Sequence, residues 1–130
     1  MSRQDELLDN LAKVQSAIPA NVKLIVVTKT YPVSDIEILY NAGVRDFGEN
    51  RDQEGAIKAP QIPSDANWHF QGQIQSNKIP SLIEWADYIH SLDDLDHAKK
   101  FNKRLAFPMK FFIQVSLDNQ VGRGGISPEQ

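Results

Sequence analysis

Apolar residues recur along this chain with two periods that take turns. Leu7, Leu11, Val14 and Ile18 fall at helical spacing behind a capping-box-like Ser2 and Asp5, and Pro19 stops the helix. Lys23-Leu24-Ile25-Val26-Val27-Thr28 is short, apolar and β-branched, the pattern of a strand buried on both faces. Ser34 and Glu37 predict a second capping box, with Ile36, Leu39 and Tyr40 behind it and Gly43 just past the helix end. Residues 44–47 form a weak second strand, a short helix follows Asn50, and Pro60 and Pro63 break it. Trp68-His69-Phe70 reads as a third strand, and a helix over 78–85 carries Ile79, Leu82 and Ile83 inward. Tyr88-Ile89-His90 is a fourth strand. Ser91 and Asp94 then box a helix bearing Leu95, Ala98, Phe101 and Leu105 at helical intervals. Residues 110–115 make a fifth strand, and Gly122-Arg123-Gly124-Gly125 loops out after it.

The sum is α(βα)₄β. Short apolar strands alternating with helices imply a parallel sheet with right-handed crossovers. Two closures satisfy that pattern, an open doubly wound sheet and a (β/α)₈ barrel. A whole barrel takes about 250 residues, roughly 31 per unit, so the 130 residues present hold about four units. The expected architecture is α/β: a partial (β/α)₈ TIM-type barrel of about five parallel strands with outer helices, residues 1–130 forming one domain. The open edges of such a sheet invite pairing.

Composition narrows the function classes. Fourteen basic and 17 acidic side chains give a net charge of −3 and no electrostatic footprint for nucleic acid or an anionic membrane. With no cysteine there is no disulfide, thiolate catalysis or Cys-ligated metal. No apolar run approaches the roughly 18 residues a membrane span needs, and the polar start Met1-Ser2-Arg3-Gln4-Asp5-Glu6 is unlike a signal peptide. The expectation is a soluble cytoplasmic protein.

Candidate chemistry gathers at the carboxyl ends of the strands, where parallel α/β sheets collect ligands. Lys29 ends the first strand, Glu49 and Asn50 the second, His90 and Ser91 the fourth, Gln114 and Ser116 the fifth; His69 lies within the third. A lysine delivered by an apolar run to a barrel mouth suits imine chemistry, because desolvation disfavours the ammonium and frees the amine to attack a carbonyl. The same lysine can instead snorkel into water. His69 reads equally as a core histidine with a satisfied hydrogen bond, and Asn50 and Asn77 as helix caps. The loop Gly122-Arg123-Gly124-Gly125 has the composition of a phosphate cradle without Walker or dinucleotide spacing, which favours a plain turn. His69, His90 and His97 lack helical metal spacing, so no metal site is assigned.

Five stretches carry a more specific signal: Val26-Val27-Thr28-Lys29-Thr30-Tyr31-Pro32, Arg45-Asp46-Phe47-Gly48-Glu49-Asn50, Trp68-His69-Phe70-Gln71-Gly72-Gln73-Ile74-Gln75-Ser76-Asn77-Lys78, Ile89-His90-Ser91-Leu92-Asp93, and Phe112-Ile113-Gln114-Val115-Ser116. In this order they resemble the pyridoxal-phosphate homeostasis protein family, single-domain relatives of the alanine racemase N-terminal barrel. The resemblance implies that Lys29 forms an internal aldimine with pyridoxal 5′-phosphate (PLP). It implies binding, carrying or buffering of the cofactor rather than robust catalysis, with PLP-dependent apo-enzymes as candidate recipients. Asn50 and His69, by their positions on the strands, would lie beside the cofactor ring.

Two departures from the family pattern stand out. The family barrel continues for three more strands, whose ends hold the phosphate, whereas this chain stops just after strand five. Arg123 also stands where the family usually has a lysine; it keeps the charge but cannot form an imine at neutral pH. Two other readings stay open: a PLP-dependent racemase-like enzyme, and a non-binding barrel fragment acting through its open strand edges.

Overall fold

A computed structural model describes residues 2–118 and 121–129. The chain begins with α1 (Arg3–Ala17), β1 (Val26–Val27), α2 (Val33–Asn41), β2 (Asp46–Glu49) and α3 (Asp52–Lys58). After a 3₁₀ turn (Ala59–Gln61) come β3 (Asn67–Phe70), a second 3₁₀ turn (Ser76–Lys78), α4 (Ile79–Trp85), β4 (Tyr88–Leu92), α5 (Leu95–Arg104) and β5 (Lys110–Ile113). The five strands form one parallel sheet in the order β1-β2-β3-β4-β5. This is the α(βα)₄β succession that the hydrophobic pattern predicts.

The helix ends agree with the predicted caps in part. Ser2 Oγ accepts from Asp5 N–H at 3.1 Å, and Gly43 leaves α2 with φ +104°, a conformation that glycine adopts without a Cβ penalty. The capping box expected at Ser34 is absent. Pro32, with φ −74° and ψ 160°, already supplies the N-cap backbone, so α2 starts at Val33 and Ser34 lies inside it. Ser91 belongs to β4 and donates to the Gly72 carbonyl; Asp94 alone caps α5, accepting from the amides of Asp96 and His97. Asn50 and Asn77 cap no helix, since the N-cap positions of α3 and α4 are Arg51 and Lys78.

Strand alternation divides the sheet into two faces. Phe47, Trp68, Phe70 and Ile89 face the helices and form the main core with Ile36, Leu82 and Trp85. The Trp85 ring meets Trp68 and Phe70 edge-on, with centroids 6.5 and 6.1 Å apart, and its Nε1–H donates to Asp52 at 2.8 Å. Gly55 on α3 makes this packing possible: a Cβ there would stand 2.3 Å from a Trp85 ring carbon. The opposite, inner face carries one row in register across all five strands: Val27, Gly48, His69, Tyr88 and Lys110.

Candidate functional site

Lys29 follows β1 in a turn closed by Tyr31 N–H to Thr28 O at 3.1 Å. The ladder runs one residue past the strand, with Thr28 N–H on Gly48 O at 2.8 Å. Thr28 is buried, and alternation sends Lys29 to the inner face, just beyond Val27. The side chain of Lys29 is exposed. The desolvation expected to activate it is therefore not supplied by the described residues, because β1 ends two residues before the lysine.

The flanks of Lys29 are tied to α3. Lys58 Nζ donates to Thr28 O at 2.9 Å and to Glu54 Oε2 at 3.0 Å, and it faces Glu49 Oε1 at 2.6 Å as an ion pair without an aligned hydrogen bond. Thr28 Oγ1 donates to Glu49 Oε2 at 3.2 Å. Thr30 N–H donates to Glu54 Oε2 at 2.9 Å, and Thr30 has φ +68°. Burial pushes the Glu49 carboxyl above its ordinary value, opposed by Lys58 and Thr28. The Thr30 amide, then Lys58, hold the Glu54 carboxyl below its ordinary value.

Asn50 is exposed just past β2, and alternation from Gly48 places it in the same mouth layer as Lys29. It borders an open cleft of about 500 Å³ shared with Gln73, Gln75 and Lys78. Gln71 reaches back over Gly48; its Oε1 would stand 2.7 Å from a Cβ there.

His69 sits one layer below. It is 1% exposed, stacked on Tyr88 at 4.2 Å, with Nε2 against Asp46 Oδ1 at 2.9 Å and Nδ1 against His90 Nε2 at 2.8 Å. Asp46 is also 3.6 Å from Lys23 Nζ. The carboxylate holds the His69 proton on Nε2, so with both rings neutral Nδ1 accepts from His90 Nε2–H. Burial lowers the pKa of both rings; Asp46 opposes the shift at His69, and His69 adds to it at His90.

The strands thus bring Lys29 and Asn50 to one mouth and set His69 beneath them as a satisfied core histidine. His90, two residues beyond Tyr88, belongs to the mouth layer by alternation; the sequence places it at the carboxyl end of the fourth strand but gives it no role beside the cofactor. The signal was its i+2 spacing from the strand's inner residue. In the glycine-rich loop Val121 and Gly122 lie in a turn, and Gly125, at φ +111°, donates its N–H to Asp93 at 2.7 Å. That donor is engaged by a carboxylate.

Residues 3–130 match the family model for the alanine racemase N-terminal domain. The chain belongs to that family. Among curated members, it is 37% identical to the pyridoxal phosphate homeostasis protein of Synechocystis, covering 92% of this chain and 57% of that one. It is 32% identical to the protein of the same name from Mycobacterium leprae, over 96% of this chain and 60% of the relative. PipY of Synechococcus elongatus superposes with a TM-score of 0.89 in its structure without PLP, at 35% identity over 95% of this chain and 60% of PipY. A second PipY structure has PLP bound and superposes at 0.85, with 36% identity over 95% of this chain and 59% of PipY. This member of the alanine racemase N-terminal family thus spans about three-fifths of the length of these relatives. Its five-stranded parallel sheet with flanking helices is a partial TIM-type barrel.

Proposed function

We propose that this chain binds pyridoxal 5′-phosphate through Lys29 and serves intracellular PLP homeostasis, holding the cofactor for PLP-dependent apo-enzymes. The observation that carries the reading is the placement of Lys29: an exposed lysine just past a strand's carboxyl end in a parallel sheet, on a turn anchored on both flanks. The relatives' names and the PLP-bound PipY structure support it.

PLP offers an aldehyde, a flat aromatic ring and a phosphate dianion. The residues present fit the first two. Lys29 would hold the cofactor through its amine, and the aldehyde would supply imine chemistry there, a C=N bond replacing C=O with loss of one water. Asn50, Gln71 and His90, in the same layer by alternation, would supply polar groups for the ring's rim. His69 supports that layer from below through His90. The link is reversible, which suits a holder that must release its cargo.

The test is an absorbance titration with PLP, followed by borohydride reduction and peptide mass mapping. One adduct on Lys29, absent in Lys29→Ala, is the expected result. Scattered adducts on other lysines, or none, would overturn the reading.

A further inference from the structure

The turn that carries Lys29 is strained, and a buried charge network converges on it. Thr30 is β-branched and has φ +68°, a region that such residues rarely enter. Backbone strain of this kind persists only where the surroundings over-determine it. Glu54 supplies that constraint directly, by accepting the Thr30 N–H at 2.9 Å. On the other side of Lys29, Thr28 is held through its carbonyl by Lys58 and through its hydroxyl by Glu49. The residues before and after Lys29 are both fixed, while its own side chain stays exposed.

Stability does not explain the network. The Lys58 and Glu49 side chains are 9% and 0% exposed, and a buried ion pair of this kind often does no better than apolar residues of similar volume. What the ions do that apolar side chains cannot is offer directed donors and acceptors to backbone groups. Two of the backbone groups they bind are Thr28 O and Thr30 N–H.

We propose that Glu49, Lys58 and Glu54 act as a clamp that positions Lys29 for imine formation, by holding its turn in the strained conformation that aims the amine along the inner face. This rests on the reading of Lys29 given above. The three are positioning residues. Lys58 is not a rival imine lysine, because its ammonium is occupied by Thr28 O, Glu54 and Glu49.

The experiment compares the full chain with Glu54→Ala, Glu54→Gln and Thr30→Gly/Glu54→Ala, using Glu84→Ala on α4 as an exposed-carboxylate control. The readouts are the equilibrium imine absorbance and the borohydride-trapped adduct at Lys29, together with the thermal midpoint. Losing a charged acceptor on a backbone N–H should lower the Lys29 imine constant roughly tenfold in Glu54→Ala. Glu54→Gln, whose amide oxygen still accepts from Thr30, should recover most of it. The glycine double variant, for which the turn is unstrained, should recover part.

A purely structural role would lower the thermal midpoint of Glu54→Ala and leave the Lys29 imine constant unchanged well below melting; that result overturns the clamp alone. No recovery by either Glu54→Gln or the double variant also overturns it. Should Glu54→Ala fail to fold, the double variant stands in for it: an imine constant between that of Glu54→Gln and a tenfold loss from the unmodified chain sustains the clamp, whereas a constant equal to the unmodified chain's overturns it. Absence of a Lys29 adduct in the unmodified chain overturns the Lys29 reading and the clamp together.

Discussion

Thr28 and Lys29 are neighbours with opposite fates, one 3% exposed and tied to Gly48 and Glu49, the other open to solvent. The strand-end position of both was legible in the sequence, but the division was not: the apolar run reads as a strand buried on both faces, with Lys29 either desolvated or snorkelling into water. The partners of Thr28 were not legible, because Glu49 and Lys58 meet across a strand-to-helix connection that no short motif encodes. His69 shows the same limit: its strand could be read, but its bond to Asp46 depends on register between β2 and β3.

That bond leads to a pH prediction. Burial holds the pKa of His69 and His90 below the ordinary imidazole value, so the unfolded chain binds protons where the folded chain does not. The stability they contribute is complete above about pH 6.5 and is lost as pH falls through the lowered folded values. Asp87 runs the other way: burial raises its carboxyl, so its contribution is present at low pH and lost as pH rises through the raised value. Comparing variants isolates the rings. The thermal midpoint of the unmodified chain should fall more steeply from about pH 7.5 to about pH 5.5 than that of His90→Gln. Parallel slopes would contradict the assignment.

At the scale of elements, α3 has two jobs on two faces. One face carries Lys58 and Glu54 toward the turn of Lys29; the other presents Gly55 and Asp52 to Trp85. Replacing Gly55 with alanine puts a methyl 2.3 Å from the Trp85 ring. Overpacking of this kind should destabilise the fold by about 1–3 kcal/mol in urea titration. Lys58→Met should cost more, about 3–5 kcal/mol, because it strands Glu49 in a site where none of its surface is exposed. Adding Glu49→Gln to Lys58→Met should then restore part of the loss; strict additivity of the two changes would show that the ions do not act as a pair.

Periodicity located nearly every element, and it failed where a local backbone constraint outranked a side-chain motif. Pro32 moved the start of α2 ahead of Ser34, and the pull of β4 toward Gly72 took Ser91 out of its supposed cap. The paired part of β1 shrank to Val26–Val27, and β2 begins at Asp46, two residues later than its apolar pattern suggested.

At the scale of the whole molecule, the alternation of elements made the parallel sheet legible, while the condition of its edges required coordinates. Among the described residues, β1 and β5 are the outer strands of the sheet. Along β5 and just past it, Phe112, Ile113, Val115 and Leu117 are 53%, 64%, 47% and 88% exposed. Among the described residues, the pairing beyond β4 is one isolated parallel bridge between Val115 and Ile126. An apolar strand with unpaired backbone groups is a template for another strand, and a net charge of −3 opposes association only weakly. Self-association that grows with concentration should therefore appear in sedimentation velocity, and Ile113→Lys, a charge on the exposed strand, should shift it toward monomer. PLP would separate this edge effect from the mouth chemistry. Lys29 stands at the far end of the sheet from β5, so Ile113→Lys should leave the Lys29 adduct unchanged. If the chain sediments as a monomer across the accessible concentration range, the β5 edge is protected in solution and the prediction fails.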